Sequence, residues 1–316
     1  MRIVFMGTAA FAIPALGALR DAGYAVALVV SQPDRPAGRG RRLTEPPVAR
    51  WAREHGLALL QPATLRDPAV QQQLAAAAPE AIVVAAYGQF LPREVLALPP
   101  LGCLNIHPSL LPRWRGPAPI QAALLAGDPE TGTSIILLEE RMDAGPILAQ
   151  ERLPIGPDDD AVSLEHRLAI QGARLLLETL PRWAAGEITP VPQDEAAATY
   201  TRRLTKEDGR LDWRQPAEAL ARQVRACAGW PGAFTVWRGR LLKVLRATPL
   251  AHQPAALAPG TVYVLPGNAG PQIAVATGAG SLRLDTIELE GRRPTSAQAF
   301  VQGYRDFVGA VLGASA

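Results

Sequence analysis

A chain of 316 residues is long enough for two domains of ordinary size. Hydrophobic residues make up 48% and charged residues 19%, which predicts packed cores and excludes a chain disordered throughout. The formal charge is a mild +3, all but two of the 32 basic residues (Lys206 and Lys243) are arginine, and Cys103 and Cys227 are the two thiols, too few and too far apart for a disulfide framework or a cysteine zinc site.

The apolar start of the chain is broken by Gly7-Thr8 and by Pro14, which argues against a secretory leader. No stretch reaches the roughly 18 apolar residues of a membrane span. The expectation is a cytoplasmic protein without a membrane partner. In chain order, residues 2–6 read as a buried strand, 11–22 as a helix closed by Gly23, and 25–31 as a second strand. A helix through 51–55, a short strand at 57–60 and a helix at 67–78 follow. Strands are expected at 81–86 and 101–106, a helix at 119–126, and a strand at 133–139. Apolar residues at Ala161, Leu164, Leu168 and Leu175 keep helical period up to Leu180, and Pro181 is expected to end or kink that helix. Alternating strands and helices predict an open, mostly parallel Rossmann-like sheet covered on both faces.

From Thr189 the texture changes. Thr189-Pro190-Val191-Pro192-Gln193-Asp194-Glu195 reads as the start of a linker over 189–207. It would separate a first domain over 1–188 from a second over 208–316. In the second, a helix at 216–228 precedes short strands at 233–238, 241–247, 260–265, 273–276 and 281–289. Their spacing predicts a small OB-like β-barrel, closed by a helix at 296–304 that Ser296 caps.

The chemistry concentrates in Leu104-Asn105-Ile106-His107-Pro108-Ser109-Leu110-Leu111-Pro112-Arg113. Asn105 and His107 leave an extended strand on one face. They stand at the end of a predicted parallel strand, where open α/β sheets bind ligands. Asp143, in a turn with Gly145, offers a carboxylate from a separate segment, although a turn aspartate is also common for local reasons. Amide, imidazole and carboxylate together suit acyl transfer without a covalent enzyme intermediate. Gly7 alone does not make the three-glycine dinucleotide fingerprint. A lopsided basic stretch, with Arg35, Arg39, Arg41, Arg42, Arg50 and Arg53 against Asp34 and Glu45, suits a nucleic-acid backbone, and Gly38, Gly40 and the prolines make its first part a loop. Arg202, Arg203, Lys206, Arg222, Arg225, Arg238, Arg240 and Lys243 could extend a cationic surface, or simply solvate a small barrel.

Asn105-Ile106-His107, Ser109-Leu110-Leu111-Pro112, Arg115-Gly116 and Asp143 with Gly145 resemble the signature of the formyltransferases that use 10-formyltetrahydrofolate. Gly7-Thr8-x-x-Phe11-Ala12 and the loop Gln32-Pro33-Asp34-Arg35-Pro36-Ala37-Gly38-Arg39-Gly40 are similar to the branch acting on methionyl-tRNA, and Ala86-Tyr87-Gly88 and Trp230-Pro231 extend the likeness across both halves. Met142-Asp143-Ala144-Gly145-Pro146 is as similar to the glycinamide ribonucleotide branch. The resemblance implies Asn105, His107 and Asp143 as catalytic residues, with Asn105 and a protonated His107 donating to an oxyanion and Asp143 favouring the imidazolium. It implies a folate co-substrate along Ser109, Leu110, Leu111 and Pro112 and near Tyr87 and Gly88, contacts from Arg35, Arg39, Arg41 and Arg42 to initiator methionyl-tRNA, no metal, and a monomer. A formyltransferase acting on a nucleotide-linked amino sugar is the alternative.

Overall fold

The computed structural model describes residues 1–37, 42–252, 254, 257–265 and 272–313. They form two compact units: Met1–Pro119, Pro129–Ile155 and Leu164–Arg202 in the first, and Ile120–Asp128, Gly156–Ser163 and Arg203–Ala316 in the second.

The elements run β1 (Arg2–Gly7), α1 (Ile13–Asp21), β2 (Ala25–Val30), β3 (Arg35–Ala37), β4 (Arg42–Thr44), α2 (Pro47–Glu54), β5 (Leu59–Leu60), α3 (Pro68–Ala76), β6 (Ala81–Ala85), α4 (Arg93–Leu96), β7 (Cys103–His107), α5 (Pro119–Ala126), β8 (Glu130–Leu137), β9 (Ile147–Pro154) and α6 (Ala161–Ala184). The first unit is built on a seven-stranded sheet in the order β5-β2-β1-β6-β7-β8-β9. The first five of these strands are parallel, while β8 is antiparallel to β7 and β9 antiparallel to β8. The chain winds outward from β1 through β2 to β5, then crosses back to β6. That reversal opens a crevice at the carboxyl ends of β1 and β6, the usual ligand position in such sheets. Residues 81–85 are buried throughout, as a strand covered on both faces requires. Helix α6 lies directly on β7: a methyl added at Gly172 would fall 2.5 Å from Ile106 Cγ2.

The second unit contains α7 (Ala217–Ala226), β10 (Phe234–Trp237), β11 (Arg240–Leu250), β12 (Val262–Leu265), β13 (Gln272–Ala276), β14 (Ser281–Leu289), β15 (Thr295–Ser296) and α8 (Ala297–Gly303). Its strands pair antiparallel in the order β10-β11-β14-β13-β12, with β15 on β14. Register shifts at Val244, Arg246 and Ala247 interrupt the long β11–β14 ladder, and such bulges bend a strand and raise its twist. The result is a curled, OB-like half-barrel. Trp237, Phe300, Tyr304 and Phe307 pack edge-to-face and stacked in its core. Ser296 caps α8 by accepting from the Ala299 amide, as expected.

Three local expectations change. β3 pairs antiparallel with β4, in a stretch whose glycines and prolines suggest an irregular loop. The strand β9 was not anticipated, because its central Gln150-Glu151-Arg152 hides the apolar alternation of a sheet edge. Pro181 sits inside α6 without ending it. Its missing N–H falls in the last turn, where a single carbonyl loses its partner, and Trp183 ties that turn down by donating to the Leu101 carbonyl at 2.8 Å.

Gly172→Val should push α6 off β7. Overpacking of this kind costs about 1–3 kcal/mol, to be read as a lower denaturant midpoint with an unchanged slope.

Candidate active site

Asn105 and His107 lie two residues apart on β7, so both side chains leave the same face of the sheet. His107 is 4% exposed. Its Nε2 stands 3.0 Å from the Trp114 carbonyl. A carbonyl can only accept, so Nε2 must carry the proton in this contact. That leaves Nδ1 as the ring atom that can bind or release a proton, and Nδ1 faces Asp143 Oδ2 at 3.7 Å. Asn105 is half-buried, and neither amide hydrogen is spent on another described residue, so both are available to a ligand.

Asp143 does not arrive from a strand end abreast of His107. β8 is antiparallel, with Leu137 beside Leu104 at the start of β7, and the turn 138–146 carries the carboxylate back. Gly145 makes this turn possible, since a Cβ there would stand 1.8 Å from the Leu137 carbonyl oxygen. Asp143 itself holds φ 50°, the left-handed region that side chains rarely adopt. The Gly116 amide donates to Asp143 Oδ2 at 2.8 Å. Trp114 (φ 64°) and Ala86 (φ 43°) share the unusual conformation. Three such residues near the strand ends fit the pattern of backbone strain held at functional sites.

Between Trp114 and Gly116, Arg115 is wholly buried. Its Nε and Nη2 donate to Gln193 Oε1 at 3.0 and 2.9 Å. Nη1 and Nη2 donate to the two Glu195 oxygens at 3.2 and 3.0 Å, and Nη1 also donates to the Tyr200 hydroxyl at 2.9 Å. The Arg115 amide donates to the Thr199 carbonyl, and the Thr201 amide donates to the Arg115 carbonyl. The segment around 193–201, read from sequence as linker, is therefore hydrogen-bonded into the first unit beside His107 and Asp143. The hydrogen bonds from Arg115 hold the Glu195 carboxyl below the usual carboxylate range.

The turn at Ser109-Leu110-Leu111-Pro112 follows directly, with a cis Leu111-Pro112 bond. Ser109 is buried, and its hydroxyl donates to the Arg113 carbonyl. Ser134 and Gln150 hold the turn from β8 and β9 through the Ser109 and Leu111 carbonyls. Its side chains thus shape the turn, and what it can offer a ligand is backbone. Tyr87 is likewise a core residue, 2% exposed, with burial pushing its hydroxyl up to about 12. Its carbonyl accepts from Thr8 Oγ1 and Gln32 Nε2, each at 2.8 Å, which ties the start of the basic stretch to the end of β6. Gln61 adds a bond to Asp34 at 2.8 Å. Arg35 opens β3; Arg39 and Arg41 lie outside the described residues, as does the Arg42 side chain.

A cleft of about 470 Å³ opens beside the Asp143 turn, lined by Arg93, Leu96, Ala97 and residues 138–141. Its volume lies within the range of small-molecule sites. This cleft carries no local sequence signal, and neither do the roles of Trp114 and Gln193. Trp114 acts through its carbonyl, which no residue type signals, and the prolines around Gln193 masked it. Among the described residues no group of three or more histidine, cysteine or acidic side chains is placed to hold a metal, and no helix is long and apolar enough to cross a membrane.

Most of the basic side chains expected to extend a cationic surface in the second unit are engaged at home. Arg238 pairs with Asp306, and Lys243 with Glu288 at 3.1 Å. Arg222, Arg225 and Arg240 donate to the carbonyls of Leu125, Asp159 and Glu290.

The formyl transferase family matches residues 1–180, and the formyl transferase C-terminal domain matches residues 203–305. The methionyl-tRNA formyltransferase of Chloroflexus aurantiacus is 50% identical over 303 residues, covering 96% of this chain and 97% of that protein. That of Roseiflexus sp. (strain RS-1) is 50% identical over 314 residues, covering 99% and 95%. Among solved structures, HypX from Aquifex aeolicus in complex with tetrahydrofolic acid superposes with a TM-score of 0.65 at 19% identity, over 98% of this chain and 48% of that one. An N-formyltransferase from Helicobacter canadensis, with folinic acid and dTDP-3-aminofucose, gives 0.64 at 13%, over 90% and 98%. At these identities the structures establish a shared fold.

Because Glu195 titrates below its ordinary range, its contribution to stability is complete above the unfolded carboxylate value of about 4.3. It is lost as pH falls through the lowered folded value. Glu195→Gln should therefore melt below the parent at pH 7, and the gap in Tm should close as pH drops below about 4; a gap that persists unchanged in acid would refute the assignment.

Proposed function

The chain belongs to the methionyl-tRNA formyltransferase family, and from that premise we propose how its residues carry out formyl transfer to methionyl-tRNA. The donor is 10-formyltetrahydrofolate and the acceptor is the free amine of methionine esterified to initiator tRNA. The setting is the cytoplasm, and the acting species is a monomer. The catalytic domain spans 1–188 and a tRNA-binding domain spans 208–316.

The amine nitrogen attacks the formyl carbon and a tetrahedral oxyanion forms. Collapse breaks the bond from that carbon to N10 of the folate. The attacking amine loses one proton and the departing nitrogen needs one, so the reaction balances without metal or covalent enzyme intermediate. The observation that carries this reading is the His107 ring, whose Nε2 is committed to the Trp114 carbonyl and whose Nδ1 faces Asp143. A proton held on Nδ1 gives the oxyanion a charged donor, and the uncommitted amide of Asn105 gives it a second. Donors fixed before reaction lower the barrier most where charge develops. Asp143, whose Oδ2 stands 3.7 Å from Nδ1 of His107, receives the amine proton directly or through water.

For the pterin of the donor we assign the cleft beside residues 138–141, where backbone groups and the Glu139 and Glu140 carboxylates can accept from its N–H groups. The rest of the folate runs past the Ser109–Pro112 turn and the backbone at Tyr87-Gly88. An amino-sugar acceptor is disfavoured: the N-formyltransferase solved with dTDP-3-aminofucose is 13% identical, against 50% for methionyl-tRNA formyltransferases matched over nearly the whole chain.

The deciding assay offers 10-formyltetrahydrofolate with methionyl initiator or methionyl elongator tRNA. Fast transfer to the initiator alone is expected. Asn105→Ala, His107→Ala and Asp143→Ala should each lower turnover by roughly a hundredfold or more while remaining folded. Near-normal turnover in His107→Ala would sink the mechanism.

The basic stretch yields a separate test. Changing Arg39, Arg41 and Arg42 together to Ala should weaken tRNA binding and flatten its dependence on log salt by roughly 2 units. An unchanged slope would mean that the stretch does not meet phosphate.

A further inference from the structure

We propose that Gln193 is a positioning residue for formyl transfer, holding the Asp143 turn in register with His107; this rests on the catalytic reading above. The Gln193 amide joins the buried Arg115 to the backbone of the Asp143 turn, whereas Glu195 reaches that turn only through the exposed side chain of Arg141. Its Oε1 accepts both hydrogen bonds from Arg115. Its Nε2 donates to the carbonyls of Asp143 and Gly145, each at 2.7 Å. The guanidinium can only donate and the carbonyls can only accept, so the amide orientation follows from chemistry. All four hydrogen-bonding positions of the amide are filled.

Few other residues can make this set of contacts. Glutamate cannot donate, lysine and arginine cannot accept, and asparagine is shorter by one methylene. The geometry also reaches the reacting groups from both sides. Asp143 is held by its carbonyl through Gln193 and by Oδ2 through the Gly116 amide. Gly116 adjoins Arg115, whose guanidinium is anchored on the same Gln193. Trp114, on the other side of Arg115, accepts from His107. One amide thus couples the backbone that places the carboxylate to the backbone that fixes the imidazole tautomer. Asp143 sits at φ 50°, a conformation that persists only when the surroundings over-determine it. Two charge-free donors on its turn supply that constraint from outside every recognised motif.

The discriminating variant is Gln193→Glu. It keeps both acceptor contacts to Arg115 and sets a carboxylate against the Asp143 and Gly145 carbonyls. Turnover should fall by roughly 10- to 100-fold while KM for folate and for tRNA stays within about twofold, the signature of an interaction felt in the transition state. Placed on Asp143→Ala, the same change should add less than about a twofold loss, because its route of action is already gone. Gln193→Met, uncharged and similar in size, serves if the glutamate variant does not fold, with the same expected split. Turnover within twofold of the parent, or a full extra loss on the Asp143→Ala background, overturns the proposal. If Asp143→Ala itself keeps normal turnover, the catalytic reading falls and this proposal with it.

Discussion

A guanidinium shut away from water must have every N–H satisfied, and the arrangement of this site follows from meeting that requirement at Arg115. A buried cation without partners costs far more than one interaction returns. The five N–H groups of an arginine here meet Gln193, Glu195 and Tyr200. All three partners come from one stretch of chain, more than 75 residues downstream. The demand therefore draws residues 193–201 onto the turn that follows β7. Once that turn is clamped, its flanking backbone has little freedom. The Trp114 carbonyl is left facing His107, and the Gly116 amide is left facing Asp143.

This clamp is better understood as a device for register than as a source of stability. Glu195 is half exposed, so solvent screens its side of the pair and weakens the attraction. Buried pairs also recover little beyond the cost of their own desolvation. What the fork geometry of arginine adds is direction: bidentate contacts tolerate one orientation and reject a slip of the segment. The positive φ values at Trp114 and Asp143 cost of order 1–3 kcal/mol each. Both residues adjoin hydrogen bonds of the clamp, which holds the strain in place.

Legibility in the sequence followed the range of the interactions. Strand β7 with Asn105 and His107 was readable, since its period of two and its position are local properties. So were the mostly parallel sheet, the OB-like second unit and the capped helix α8. Asp143 was readable as a turn carboxylate, but its approach to His107 depends on β8 running antiparallel, which no local pattern encodes. Gln193 was hidden because its neighbours Pro190 and Pro192 carry the signature of a linker. Proline excludes helix, yet it leaves an extended segment free to bridge to a folded surface, as Val191 does with Ile147. Pro181 misled in the opposite direction, because a helix tolerates it in a last turn held by Trp183.

The same distinction between residue type and engagement applies to charge. Arginine enrichment gives the chain a uniform cationic look, yet in the second unit Arg238 and Lys243 are paired with the carboxylates of Asp306 and Glu288. A cation already paired releases few counterions when a phosphate approaches, because it has little field to offer. In sequence, residues 34–42 set four arginines against Asp34 alone, and Asp34 accepts a hydrogen bond from Gln61. Attraction for a polyanion is then expected to concentrate at this stretch rather than spread over the barrel. Gln32, just ahead of this stretch, donates to the Tyr87 carbonyl beyond the end of β6, so the stretch begins at the strand ends where the crevice opens. A phosphate backbone drawn there would be positioned by the same sheet that sets His107, which ties recognition of the long substrate to the place where its terminal amine must react.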